Sequence, residues 1–211
     1  MILPIRAFRG AHGTVVGVRK FSAVTRVNAL GAAPDPGESP PMRVHIATDH
    51  AGLELSQYFV DQLSAAGYEM VDHGPEDYDA ADDYPAFCIH AARAVKEDRD
   101  QGLDSLGIVL GGSGNGEQMA ANKVQGIRAA LAWNLDIAKL AREHNNAQVV
   151  AIGGRQHSKE EALEIVKAFL AEEFTGEERH ERRIAQLGEY ETTGDIRGKL
   201  DQVTARPAAQ N

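Results

Sequence analysis

The sequence predicts an α/β protein built on a doubly wound sheet of about five parallel strands with helices on both faces. Short apolar runs, partly β-branched, alternate with segments of helical periodicity from residue 42 onward. Polar clusters follow three of these runs, at Asp49-His50, at a glycine loop, and at 153–157. In doubly wound sheets such strand ends are where ligands bind, so the same pattern predicts the position of a site.

The individual elements follow from local signals in chain order. Strands are predicted at 44–48, 68–74, 105–112, 127–133 and 147–154. Helices are predicted at 49–67, 84–98, 116–124, 134–145, 158–174 and 176–191. The clearest helix start is Ser158, an N-cap that Glu161 completes as a capping box. Pro85 suits the first turn of its helix, and Gly67 is a typical helix stop.

The two ends of the chain differ from this pattern. Residues 1–41 carry a net charge of +3, have no acidic residue before Asp35, and end in a Pro/Gly/Ser-rich linker. A targeting peptide is one interpretation; a disordered extension, or a stretch upstream of a natural start at Met42, is favoured. We therefore expect a disordered extension at 1–41, a folded domain at 42–193 and a flexible tail at 194–211.

Composition excludes several classes of function. None of the apolar runs approaches the roughly 18 residues of a membrane span. The net charge of −9 disfavours nucleic-acid binding, because phosphate backbones select basic surfaces. The one cysteine, Cys88, excludes an internal disulfide and any cysteine-rich zinc site. A reducing cytoplasm is the simplest setting, and neither a membrane nor a nucleic acid is an expected partner.

The glycine loop GGSGNGEQ (111–118) nearly matches three nucleotide or hydrolase motifs and fails each of them. The dinucleotide fingerprint needs glycine at 117, and the P-loop needs lysine there, whereas this chain has Glu117. The nucleophile elbow places Ser113 correctly but meets Asn115 in place of glycine. Chemistry based on NAD, ATP or an acyl-enzyme therefore loses support.

The loop can still bind an anion through closely spaced backbone N–H groups at a helix N-terminus. Such a nest also stabilises an oxyanion that develops during a reaction. Glu117 beside it is then a candidate general base for abstracting a proton next to a carbonyl. The alternative is that Glu117 is only a first-turn acid favoured by the helix dipole.

Other candidates follow strands or end helices. Asp49 could be a helix N-cap, whereas His50 has no comparable structural explanation. His144 lies at a helix C-terminus, where a capping role is the favoured interpretation. Arg155 follows a strand, and Arg179 and Arg183 lie four apart on one helix face, an arrangement suited to a phosphate or to surface ion pairs.

Two further kinds of site are disfavoured. Cys88 lies among apolar residues of a predicted helix and is expected to be a small buried side chain. The remaining histidines lack the spacing of known zinc motifs, so no metal site is expected.

Taken together, the motifs resemble a known family. ATDHAG (47–52), DDYPAFC (82–88), GGSGNGEQMAANK (111–123), REHNNAQ (142–148), IGGR (152–155) and RHERR (179–183) occur in that order. From about Met42 to Tyr190 the chain resembles the sugar-phosphate isomerases, the family of type B ribose-5-phosphate isomerases and galactose-6-phosphate isomerase. The resemblance implies a Rossmann-like α/β fold, no cofactor and no metal, and a homodimer with active sites shared between the subunits.

The resemblance also implies an activity and roles for residues. The activity is interconversion of ribose 5-phosphate and ribulose 5-phosphate through an enediolate, in the pentose phosphate pathway. Glu117 would be the base and His144 would assist ring opening. Substrate-binding residues would be Asp49, His50, Tyr84, Gly112, Ser113, Gly114, Asn115, Gly116, Asn145, Arg155, Arg179 and Arg183, the last two reaching in from the partner subunit.

One position departs from the family pattern. Many members have a cysteine base at the position of Gly111, and this chain resembles the actinobacterial-type branch in which glutamate takes that role. Cys88 belongs to another motif and does not inherit the role of the cysteine. Two alternatives remain open, an isomerase for a six-carbon phosphate such as allose or galactose 6-phosphate, and a non-catalytic phosphosugar-binding protein.

Overall fold

A computed structural model of the chain describes residues 41–203. The predicted extension before Pro41 and the last part of the predicted tail, residues 204–211, lie outside the described residues. The strands are β1 Arg43–Thr48, β2 Glu69–Asp72, β3 Ser105–Gly111, β4 Ala129–Leu131 and β5 Val149–Gly153. The helices are α1 Leu53–Ala65, α2 Tyr84–Asp100, α3 Asn115–Ala121, α4 Leu135–Asn145, α5 Lys159–Ala171 and α6 Glu178–Thr193. Short 3-10 turns lie at His50–Gly52 and Leu200–Gln202.

The five strands form one parallel sheet in the order β2-β1-β3-β5-β4. The predicted fold class is confirmed, whereas the position of β5 between β3 and β4 is not evident from chain order. The three central strands are almost wholly buried because helices cover both faces of the sheet, which explains their continuous apolar runs. The edge strands β2 and β4 are shorter than predicted.

Two apolar cores fill the spaces between the sheet and its helices. On one face, side chains of α1, α4 and α5, such as Phe59, Ala138 and Phe169, pack against the sheet. On the other face, α2 and α3 contribute small side chains, among them Cys88 and Ala121. The predicted capping box is present at the start of α5, where Ser158 and Glu161 exchange hydrogen bonds.

Helix α6 packs much less closely than the others. His180 is its one buried residue, and Leu187 and Tyr190 are about half exposed.

Within the described part of the chain, none of the helices is both long and apolar enough for a membrane span.

Candidate active site

The largest group of predicted site residues lies at the carboxyl ends of three neighbouring strands. Asp49 and His50 follow β1, the glycine loop follows β3, and Arg155 follows β5. Tyr84 begins α2, and its ring lies against the glycine loop. A Cβ atom added at Gly116 would lie only 2.5 Å from that ring. We call these residues the carboxyl-edge group: Asp49, His50, Tyr84, Gly112, Ser113, Gly114, Asn115, Gly116, Glu117 and Arg155.

Backbone contacts hold the glycine loop against the end of β5. Gly154 N donates to Gly111 O at 2.8 Å, and Arg155 N donates to Gly112 O at 3.2 Å. Gly114 has a φ of 78°, a left-handed conformation that favours glycine, and its Cα faces the backbone of β5. Among residues 41–203 the N–H groups of Ser113, which is exposed, and of Gly114, which is buried, have no hydrogen-bond acceptor. Unpaired N–H groups in a glycine loop suit an anionic ligand.

Arg155 lies beside this loop. Its guanidinium would be 3.3 Å from a side-chain carbon placed at Gly112, and it forms no ion pair within the described residues. An exposed, uncompensated guanidinium next to free N–H groups suits a phosphate.

Glu117 is a buried acid of the site, with 5% of its surface exposed. Burial raises the pKa of its carboxyl above the ordinary value, and the nearby charge of Asp49 raises it further. A carboxylate with a raised pKa is a better proton acceptor near neutral pH, as a general base requires. Glu117 thus lies in the first turn of α3 and is also buried. An acid placed there only for its interaction with the helix dipole would lie on the surface.

The carboxylate of Glu117 occupies the space over Gly111. A Cβ atom on residue 111 would lie 1.7 Å from Glu117 Oε1 and 2.2 Å from Cδ. A cysteine at position 111 and the present arrangement of Glu117 therefore exclude each other sterically. This gives a physical reason for the departure from the family pattern at Gly111.

Cys88 lies inside the core on the α2 side of the sheet and is fully buried. Burial, together with the charges of Glu117 and Asp49, raises the pKa of its thiol to about 12. A thiol in this state is not a nucleophile at neutral pH, as the sequence predicted.

Asp49 and His50 are held by different contacts. Asp49 Oδ1 accepts a hydrogen bond from Ala51 N at 2.9 Å, so Asp49 does cap the 3-10 turn that follows it. His50 Nδ1 lies 2.6 Å from Asp82 Oδ1. One potential ligand atom from each of Asp49, His50 and Asp82 lies within 4.8 Å of the others, the spacing that a metal ion would need. However, Nδ1 of His50 is already hydrogen-bonded to Asp82.

A second group of predicted residues lies at the amino ends of the strands, on the opposite side of the sheet from the carboxyl ends. We call His144, Asn145, Arg179 and Arg183 the amino-edge group. Helix α4 runs from the carboxyl end of β4 to the amino end of β5, so His144 and Asn145 lie near the start of β5. Arg128, the residue before β4, confirms this position by donating to Asn145 O at 2.7 Å.

Helix α6 contacts this end of α4 through a pair of histidine rings. The ring centroids of His144 and His180 are 4.3 Å apart. Burial lowers the pKa of His180, and the charge of the neighbouring His144 lowers it further. Arg179 pairs with Glu177 at 2.8 Å, which is the surface ion pair considered as the alternative, whereas Arg183 pairs with none of the described acids. The helix C-cap is Asn146, in the left-handed conformation, and not His144.

The two groups lie at opposite ends of the strands in this chain. Strand β5 separates the two edges by five residues, about 16 Å at 3.3 Å per residue. The chain therefore brings the carboxyl-edge group together and leaves the amino-edge group apart from it.

Asp82 is the site residue that sequence analysis missed. It belongs to the motif DDYPAFC. Aspartate is a common N-cap residue, so two adjacent aspartates before a helix indicate a helix cap and not a contact with a distant side chain. The contact that distinguishes Asp82 from Asp83 joins residues 32 apart in the chain, and local sequence carries no signal for it.

The sequence of the chain is similar to those of known proteins. A family model described as Ribose/Galactose Isomerase matches residues 44–187. Ribose-5-phosphate isomerase B of Mycolicibacterium paratuberculosis is 57% identical over 152 residues, 72% of this chain and 93% of the relative. The protein of the same name from Mycobacterium tuberculosis is also 57% identical, over 72% of this chain and 91% of its own length.

Solved structures give the same result. The crystal structure of ribose-5-phosphate isomerase B from Mycoplasma genitalium with bound ribulose-5-phosphate superposes with a TM-score of 0.68 at 41% identity, covering 72% of this chain and 97% of that one. The enzyme from Clostridium thermocellum superposes with a TM-score of 0.67 at 40% identity, covering 73% of this chain and all of that one. The chain belongs to the ribose/galactose isomerase family.

Proposed function

We propose that this chain interconverts D-ribose 5-phosphate and D-ribulose 5-phosphate, a step of the pentose phosphate pathway. The observation that carries the proposal is the buried Glu117 carboxylate beside the free N–H groups of Ser113 and Gly114. A base next to an anion-binding loop is what proton transfer between two carbons of a sugar needs. The names of the relatives, ribose-5-phosphate isomerase B, support the choice of substrate.

In the proposed mechanism Glu117 takes the proton from C2 of the open-chain aldose. The electron pair moves into the C1–C2 bond, and the negative charge that develops on O1 is stabilised by the loop. Each critical donor of this kind contributes on the order of 3–4 kcal/mol to the transition state, and a positioned base contributes a factor of about 10²–10⁴. Glu117 then returns the proton to C1, while a proton moves from O2 to O1, and the ketose forms.

We further propose a homodimer in which each active site combines two subunits. The carboxyl-edge group of one subunit would supply the base, Asp49, His50, Tyr84 and Arg155. The amino-edge group of the other would supply His144 for ring opening, Asn145 for the substrate, and Arg179 and Arg183 for the phosphate. The separation of the two groups supports this arrangement, as do the exposed Leu187 and Tyr190 on α6.

We place the enzyme in the cytoplasm. A reducing compartment suits a chain whose single cysteine is a free, buried thiol.

The activity is tested with purified protein and ribose 5-phosphate, with allose 6-phosphate and galactose 6-phosphate as competing substrates. We expect ketose formation with the pentose, and a loss of orders of magnitude in kcat with little change in KM for Glu117→Gln. Near-normal turnover in that variant would exclude Glu117 as the base. Preference for a six-carbon phosphate would replace the proposed substrate.

Sharing of the sites is tested by mixing two inactive variants, Glu117→Gln and Arg179→Ala. A mixed dimer with shared sites has one site that carries both defects and one that carries neither. We expect the mixture to regain partial activity. No recovery in mixtures that contain verified mixed dimers would contradict shared sites.

A further inference from the structure

Asp82 makes a specific contact with the side chain and the backbone of His50. Its Oδ1 atom lies 2.6 Å from His50 Nδ1 and accepts a second hydrogen bond from His50 N at 3.1 Å. The imidazole ring is therefore tied to its own backbone through a single carboxylate oxygen. The ring of Tyr78 lies edge-on to the imidazole, with centroids 5.8 Å apart.

The contact decides which ring nitrogen carries the proton. Oδ1 already accepts from a backbone N–H, and a carboxylate oxygen has no hydrogen to donate, so the hydrogen must lie on Nδ1. In the neutral ring Nε2 is then the unprotonated nitrogen. A ligand at the carboxyl edge thus meets a histidine in one orientation and one tautomer, as with histidines held by carboxylates in other sites.

Asp82 has no other hydrogen-bonding role in the described residues that would explain its burial. Its side chain is 11% exposed, and its Oδ2 atom is buried without a hydrogen-bond partner among residues 41–203. Burying a carboxylate is costly unless it is paired, and His50 is the partner that compensates this one. The neighbouring Asp83 is exposed and its side chain forms no capping bond.

From this geometry we infer that Asp82 is a positioning residue for the isomerase reaction, which fixes the orientation and the Nδ1–H tautomer of His50. The inference rests on the proposed function, because His50 binds substrate only under that proposal. Asp82 acts through His50 and is not expected to touch the sugar phosphate.

The first measurement needs no substrate. In protein labelled with ¹⁵N-histidine, long-range ¹H–¹⁵N spectra distinguish the two neutral tautomers, and a His50→Ala variant assigns the signal. We expect His50 to be the Nδ1–H tautomer in the parent and to lose this preference in Asp82→Ala. A parent in which His50 carries its proton on Nε2 would overturn the inference.

The second measurement is a double-mutant cycle with ribose 5-phosphate. Removing the partner of a metal-ligating histidine costs about 10–100-fold in metal affinity or activity, and we expect Asp82→Ala to lower kcat/KM by a similar factor. On the His50→Ala background the same substitution should change kcat/KM little, because its effect passes through the imidazole. An equal loss in both backgrounds would instead indicate a general structural role and overturn the inference.

Asp83→Ala is the matched control, since it removes the same charge one residue away without touching His50. It should keep the kcat/KM of the parent, and a loss as large as that of Asp82→Ala would count against a specific contact. A parent protein without isomerase activity would contradict the proposed function, and the tautomer spectra would then still decide whether Asp82 fixes His50.

Discussion

Adding one methyl group at Gly111 should remove most of the activity and leave the fold intact. The Cβ of an alanine at this position would lie 1.7 Å from Glu117 Oε1, whereas ordinary contacts begin at 3.4 Å. The carboxylate would have to move by about 1.7 Å, and a displacement of only about 1 Å can cost a factor of about 100 in rate. We therefore expect kcat to fall at least about 100-fold, equivalent to about 2.7 kcal/mol in the barrier.

Stability should respond differently from activity. The clashing atoms belong to the end of a flexible side chain, and Gly111 lies in a regular strand without a positive φ, so the backbone need not change. The thermal midpoint of Gly111→Ala should stay close to that of the parent.

The assay is ketose formation from ribose 5-phosphate, measured for Gly111→Ala, Glu117→Gln and the double variant. If the methyl group acts by displacing the base, it should cost little further activity once the base is absent. Near-normal kcat in Gly111→Ala would refute the reasoning. So would a 100-fold loss that recurs undiminished on the Glu117→Gln background.

Three further predictions concern proton binding. The acid limb of the pH–kcat profile should report a group with a pKa above 4.5, the ordinary value for glutamate, because burial raises the pKa of Glu117; a limb at or below that value would contradict its role. Burial and the neighbouring His45 and His90 lower the pKa of His73 from 6.5 to about 4. Between these pH values His73 is therefore protonated in the unfolded chain and neutral in the folded one. The free energy of unfolding should then fall as the pH drops from 6.5 towards about 4, by up to about 3 kcal/mol in urea titrations, and constant stability across that window would contradict the assignment. Cys88, whose thiol pKa is raised to about 12, should resist iodoacetamide in the native protein and react after unfolding; rapid alkylation of the native protein would contradict its burial.

Local patterns sufficed for the fold class and for locating part of the candidate site. The alternation of apolar runs and helical periods predicted five parallel strands, and the structure has them. The capping box at Ser158 was equally predictable, since its partner is only three residues away. The glycine loop and Glu117 were identified because a strand, a glycine cluster and a helix start are consecutive in the chain.

Other features depend on distances between residues that are far apart in the chain. The order of the strands, with β5 between β3 and β4, results from packing and brings Arg155 beside Gly112. The overlap of Glu117 with the space over Gly111 needs coordinates, because sequence letters do not show which way a side chain turns.

The sequence by itself thus determined the α/β class, the location of the glycine loop and the acid within it. These depend on residues a few positions apart, whose spacing in an element follows from helix and strand periods. The tertiary structure alone decided that Asp82 holds His50, and that His144 lies at the opposite edge of the sheet from Glu117. The reason is physical: such relations depend on the order and direction of the strands, which are set by how both faces of the sheet are covered and not by any local pattern.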